Sequence, residues 1–200
     1  YTYISLGDSD GNLFFDNLQK NFSINKIDFE SVSSTLEIIK PGSKVIISYH
    51  RSDINPWKDT SFSEKQLKLI DAISRNHQVI LDVFVNPYPL RQIQFIENID
   101  AILVSYQNNQ ISQDVSSDIL SGIQGVNGVL PVSINSDFKV GFGIKLPAKY
   151  LFTRAEPKSM GFNENSRNMY ENQSNQGKFL IIKKTLHIYS ESKKQKHKNH

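Results

Sequence analysis

Lys44-Val45-Ile46-Ile47-Ser48-Tyr49 and, further along, Gln78-Val79-Ile80-Leu81-Asp82-Val83-Phe84-Val85 are near-continuous apolar runs of strand length. Strands buried on both faces read this way, because neither side of the pleat meets water. Between the two runs, Ser63-Glu64-Lys65-Gln66 is a capping box. The Ser63 hydroxyl can accept from the amide at position 66 while the Gln66 side chain reaches back, and Phe62 and Leu67 stand where a hydrophobic staple belongs. The helix opened there runs to about Asn76 with Leu67, Ile70 and Ile73 on one stripe. Strand, helix and strand in this order make a crossover, which parallel neighbours need and antiparallel ones do not. A parallel sheet with residues 44–49 near its centre is therefore the expected framework.

The alternation continues outward in both directions. Upstream, Tyr1 to Leu6 reads as a strand, Gly7-Asp8-Ser9-Asp10-Gly11 as a turn, and Leu13 to Phe22 as a helix with Phe14, Leu18 and Phe22 in register. A short strand around Ile24 to Phe29 and a brief helix over residues 31–40, stopped by Pro41-Gly42, complete that side. Downstream, the pattern predicts a short helix at Arg91 to Glu97 and a third apolar strand at Ala101 to Tyr106. It then predicts a helix over residues 112–124 carrying Val115, Ile119 and Ile123, closed by Gly125 and Gly128, and a return to a strand at Val129 to Ile134. The expected fold class is α/β, an open, mainly parallel sheet sandwiched between helices. Residues 1–145 form the domain, 146–167 a linker, and 168–200 a basic, low-complexity and largely irregular tail. Within the tail only Phe179 to Ile182 and Leu186 to Tyr189 have strand patterns.

Charge divides where composition does. Beyond residue 156 the chain carries nine Lys or Arg against three Asp or Glu, while the preceding part is mildly acidic. The isoelectric point near 8.9 is thus a property of the tail, where charge runs are ordinarily solvated, and no nucleic-acid partner is expected. There is no cysteine, which removes disulfides, thiol nucleophiles and thiolate metal sites and leaves the compartment unknown. No apolar run reaches the roughly 18 to 20 residues of a membrane span. His187, His197 and His200 lack metal-ligand spacing, and neither metal nor cofactor is expected.

In an open α/β sheet, ligands sit outside the carboxyl ends of the strands. Those ends supply Tyr49, His50 and Arg51 with Asp53, then Asn86, Pro87 and Tyr88, then Tyr106, Gln107 and Asn108, with Trp57 in the loop after the central strand. Aromatic faces with amide and guanidinium donors suit a sugar ring and its hydroxyls, and suit a domain interface equally well. His50 and Asp53 could form a proton-transfer pair, although loop histidines near carboxylates are common. Trp57 is better read as an interface anchor. The Gly7–Gly11 turn opens a helix, but its two aspartates repel phosphate and no Gly-Lys-Ser/Thr follows. Asp82, inside an apolar strand, requires a partner, since an unpaired buried carboxylate costs several kcal/mol.

Taken in order, Tyr3-Ile4-Ser5-Leu6-Gly7-Asp8, Asn55-Pro56-Trp57, Val79 to Phe84 with Asn86-Pro87-Tyr88, Val104-Ser105-Tyr106-Gln107 and Gly128-Val129-Leu130-Pro131-Val132-Ser133-Ile134 resemble the C-terminal domain of family 3 glycoside hydrolases. The branch resembled is that of the β-N-acetylhexosaminidases, and the resemblance covers roughly residues 1–145. The last segment is the most specific; in the family it ends the last helix and begins the closing strand. The resemblance implies an accessory domain packed beside an N-terminal (β/α)8 barrel of the same enzyme, with the carbohydrate substrate held by that barrel. Family chemistry is retaining hydrolysis by two groups about 5 to 5.5 Å apart; in this branch both belong to the barrel, so no catalytic residue is expected here. Relatives are often exported, and in some bacterial ones the domain precedes a β-lactamase-like domain. Residues 150–167, with Met160-Gly161-Phe162-Asn163, look like the linker into it. The divergence beyond about Arg167 reads as a truncation or a shifted frame. The alternative expectation is a freestanding flavodoxin-like module that binds or senses a small ligand.

Overall fold

The computed structural model describes residues 1–52, 59–148 and 180–183. Five parallel strands form its centre: β1 (Thr2–Gly7), β2 (Asn25–Ile27), β3 (Lys44–His50), β4 (Gln78–Phe84) and β5 (Ala101–Val104). Their spatial order is β2-β1-β3-β4-β5. The helices are α1 (Asn12–Gln19), α2 (Val32–Ile38), α3 (Glu64–Ser74) and α4 (Gln110–Ser121). The expected α/β class and central crossover are therefore both present. A sixth strand, β6 (Leu180–Lys183), pairs antiparallel with β5; the other expected tail strand, Leu186 to Tyr189, and most of the linker and tail lie outside the described residues.

The two faces of the sheet differ in chemistry. Toward α2 and α3 the sheet presents Ile4, Val45, Ile47, Val79, Leu81, Val83, Ile102 and Val104, which pack with Leu69, Ile70 and Ile73 of α3 in one apolar cluster. The Ser63 cap is made in both directions: its Oγ accepts the Gln66 amide at 3.3 Å, and Gln66 Oε1 accepts the Ser63 amide at 2.8 Å. Phe62 is buried and Leu67 packs against the same cluster, as a staple requires. Toward α1 and α4 the sheet carries Tyr3, Ile46 and Phe84, but also Ser48, His50 and Asp82, all buried.

Four expectations are corrected. Arg91 to Glu97 is not a helix. Two 3-10 turns, Tyr88–Gln92 and Ile96–Asn98, stand there, separated by Ile93 in extended backbone, which lets Leu90 and Ile93 both reach the core. β5 stops at Val104 rather than Tyr106 because the chain reverses at Tyr106 (φ 62°). α4 ends one turn early, at Gly122 (φ 77°), whose left-handed conformation suits glycine, with the Ile123 amide donating back to the Asp118 carbonyl at 2.8 Å. Gly125 plays a different part: a Cβ there would lie 2.7 Å from the Leu146 carbonyl oxygen.

Val129 to Ile134, finally, is no strand of the sheet. It forms one arm of an irregular hairpin tied by backbone hydrogen bonds between Val126 and Leu146, Leu130 and Phe142, and Ile134 and Phe138. The spacing of four along each arm leaves room for Pro131, which has no amide to donate. Leu130 and Ile134 still bury their side chains in the core.

Candidate functional site

Because all five central strands run the same way, their carboxyl ends share one edge of the sheet. Four of the sequence-selected residues lie on the rim of that edge, namely Arg51, Asn86, Tyr88 and Gln107, and Tyr106 is half-buried beside them. Asp53 and Trp57 lie outside the described residues. Asn86 Oδ1 accepts the Tyr88 amide at 3.2 Å, which turns the chain so that the Tyr88 ring is exposed, with the Arg91 guanidinium 5.0 Å from its centroid. Arg91 also donates to the Ser133 carbonyl at 2.9 Å, joining this rim to the hairpin.

Where β1 and β3 end side by side, the strand order reverses. Gly7 (φ 112°) is required there, since a Cβ would sit 1.8 Å from the His50 carbonyl oxygen. Asp8 follows, donating its amide to His50 O at 3.0 Å and accepting the Ser52 amide at 3.0 Å, with Arg51 Nε 3.7 Å from its carboxylate. Arg51 Nη2 donates to the Asp59 carbonyl at 2.5 Å. Its guanidinium is thus committed to loop structure on two sides.

His50 itself is fully buried. Asn108 Oδ1 can only accept, so His50 Nδ1 carries the proton and donates across 2.8 Å, which leaves Nε2 as acceptor for the Ser48 hydroxyl at 2.9 Å. Ser48 Oγ in turn is 2.7 Å from the Tyr3 hydroxyl. At the other end, Gln113 Nε2 donates to the same Asn108 oxygen at 2.9 Å while Gln113 Oε1 accepts the Phe14 amide at 3.0 Å. The result is a continuous chain of hydrogen bonds tying β1, β3, α1 and α4 together. Burial pushes His50 down to about 4 and the Tyr3 phenol up to about 12, so both are neutral across the physiological range.

Serine, histidine and asparagine at these distances have the order of a nucleophile, a base and a group that orients the base. Access decides against that use. Gly11 covers the cluster so closely that a Cβ on it would lie 2.3 Å from His50 Nε2 and 2.5 Å from the Tyr3 hydroxyl, and Phe84 stacks on the imidazole with ring centroids 4.3 Å apart. Ser48, the would-be nucleophile, is as fully buried as the histidine.

Comparison of the chain with protein-family models, curated proteins and solved structures finds no match.

Asp82 lies on the same face one strand further. It is fully buried, accepting from Ser105 Oγ at 2.7 Å and, through its other oxygen, from Ser116 Oγ of α4. The partners demanded by a carboxylate in an apolar strand are therefore hydroxyls, not a cation. Desolvation outweighs the two hydroxyl donors, and the carboxyl is pushed up to about 7. Asn108 is one of the residues the strand ends single out, whereas Ser105, Gln113 and Ser116 are not. Their signal was there: the buried side of α4 is Ser112, Gln113, Ser116, Ser117 and Ile119, a polar stripe that has to face buried polar groups.

Proposed function

We propose that the chain is an accessory α/β domain of a glycosidase that hydrolyses terminal β-linked N-acetylhexosamine, packing beside a (β/α)8 barrel that carries the catalytic groups. One observation supports this reading most. The segments that resemble family 3 glycosidases at Leu6-Gly7-Asp8, Asn86-Pro87-Tyr88 and Ser105-Tyr106-Gln107 converge on a single edge of the sheet. Arg91 ties the fourth, Gly128 to Ile134, to that edge through Ser133. That rim offers an aromatic face, amides and a guanidinium, the groups that hold sugar hydroxyls or another domain's backbone. The titratable groups suited to proton transfer, His50 and Asp82, are sealed beneath it and consumed in holding helices to the sheet.

A second reading is favoured by the strand order. The order β2-β1-β3-β4-β5 is that of doubly wound sheets of flavodoxin type, whose ligands bind where β1 and β3 part. A freestanding ligand-binding or regulatory module would use the Asp8, Arg51 and Ser52 corner.

Hydrolysis of a chromogenic β-N-acetylglucosaminide by the purified chain, alone and mixed with the barrel domain of a family 3 β-N-acetylhexosaminidase, separates the two. The accessory reading expects no turnover alone and raised turnover or stability of the barrel in the mixture. Turnover by the chain alone refutes it; no effect on the barrel leaves the field to the binding module.

A further inference from the structure

Glycine follows asparagine at one place in the chain, Asn127-Gly128. An asparagine side chain is attacked most readily by the next backbone nitrogen when that residue has no Cβ to obstruct the approach and a backbone free to adopt it. The hairpin leaves this pair open to the reaction. Asn127 is exposed, and among the described residues neither its side chain nor the Gly128 amide takes part in a hydrogen bond. Residues 127–129 span the gap between two fixed points. On one side Val126 and Leu146 exchange both backbone bonds at 2.8 Å; on the other the Leu130 amide donates to the Phe142 carbonyl, and its own carbonyl accepts the Gly141 amide, each at 2.8 Å. Asp10-Gly11, the other Asn or Asp followed by glycine, is the contrast. There Gly11 is buried, its carbonyl accepts the Phe15 amide and the Tyr3 hydroxyl, and it is packed against His50.

We propose that Asn127-Gly128 is a site of spontaneous modification, where the asparagine deamidates through a succinimide and the isoaspartate formed loosens the hairpin from the core. In the first step the Gly128 nitrogen gives up its proton to water and bonds to Asn127 Cγ, the Cγ–Nδ2 bond breaks, and ammonia leaves. In the second, water adds to one of the two ring carbonyls. Breaking the new Cγ–N bond gives aspartate; breaking the original peptide bond gives isoaspartate, with the main chain now routed through Cβ and Cγ. Water is the sole co-reactant and nothing is oxidised or reduced. Isoaspartate lengthens the main chain by one methylene between Val126 and Leu130, both buried and both tied to the opposite arm. An added link between two anchored points has to be accommodated by bulging outward or by pulling one anchor free. The same arm carries Ser133, whose carbonyl holds Arg91 at the rim, so the change reaches the candidate site. The inference goes beyond the proposed function and is independent of it.

The test is a warm incubation of the full chain at pH 8, sampled by peptide mass mapping and by labelling with an isoaspartyl methyltransferase. The peptide containing Asn127 should convert from amide to acid at a rate within about tenfold of that in a synthetic peptide of residues 122–134, because the fold offers it no protection. Isoaspartate should be the larger product. In the converted chain, hydrogen-exchange protection of the Leu130 amide should fall about tenfold or more. Asn127→Gln, incubated alongside, should remain unconverted at this position and keep its Leu130 protection, and Asn127→Asp, which has the charge without the longer main chain, should keep it too. Conversion slower than that tenfold margin overturns the proposed site, and Leu130 protection that is unchanged after conversion, or lost equally in Asn127→Asp, overturns the proposed loosening. The rate comparison needs no variant to fold.

Discussion

Replacing Asp82 with Asn should change how stability depends on pH. The folded carboxyl titrates at about 7 against an ordinary value of 3.8, so between those limits the native state binds a proton that the unfolded chain has lost. Stability then falls as pH rises, by about 1.4 kcal/mol per unit. His50 acts in the opposite sense. Its folded value is about 4 against 6.5, so between those limits the unfolded chain binds the extra proton and stability rises with pH by about the same slope. Both side chains are fully buried, so neither term needs a discount for solvent. In the wild-type chain the two nearly cancel from pH 4 to 6.5. With Asn at 82 only the histidine term remains, and stability should climb by on the order of 3 kcal/mol across that interval. At pH 8, where the wild-type carboxylate is ionised inside the protein, the variant should be the more stable by on the order of 2 kcal/mol after allowing for its weaker hydrogen bonds. Urea unfolding followed by circular dichroism at half-unit pH steps measures both differences. Equal pH profiles for the two proteins would refute the reasoning, because Asp82 would then be ionised alike in the folded and unfolded states.

Ser116→Ala removes one of the two hydroxyl donors to Asp82; it should cost about 1 to 3 kcal/mol and more at pH 8 than at pH 5, by the same urea assay. Gly11→Ala forces a methyl group into the space of His50 Nε2 and the Tyr3 hydroxyl, and should lower stability by about 1 to 3 kcal/mol while shifting the imidazole resonances of His50. Ser63→Ala deletes the accepting half of the capping box, an expected loss of about 1 kcal/mol in denaturant unfolding, with no change in the Asp82 titration.

The sheet was legible because its signal is redundant. Two apolar runs bracketing a capped amphipathic helix leave no other arrangement, and the register of β3 on β4, Lys44 to His50 against Gln78 to Phe84, follows from it. The failures have separate physical causes. At Val129 to Ile134 apolar side chains alternate as in a strand, yet the backbone bonds occur only at every fourth residue, so side-chain burial and ladder pairing part company. At Ala101 to Tyr106 the pattern continues past the strand because Tyr106 packs on the core from a left-handed turn. Arg51, Asn86, Tyr88 and Gln107 were placed on the rim by counting strands, which needs no knowledge of side-chain partners. His50 was placed at the same edge by the same count and is buried instead, because the parity of β3 that turns Tyr49 to the apolar face turns His50 inward beneath α1.

That parity also explains why the polar groups of this domain are concentrated on one face. A sheet between two pairs of helices can be apolar on both sides, and here the side under α2 and α3 is. The side under α1 and α4 holds Tyr3, Ser48, His50 and Asp82, matched by Gln113 and Ser116 from above. An apolar replacement of such a network is often as stable or more so, whereas loss of a single member leaves a buried group unpaired. What the polar version adds is register: α4 can slide over leucines, but it can satisfy Asp82, Asn108 and the Phe14 amide in one position only. The Tyr106 loop enters α4 directly, so the position of the rim is set by that match. Asp82 is the hinge of that match, because its two oxygens take one hydroxyl from the end of β5 and one from α4, and so set the strand end and the helix against each other.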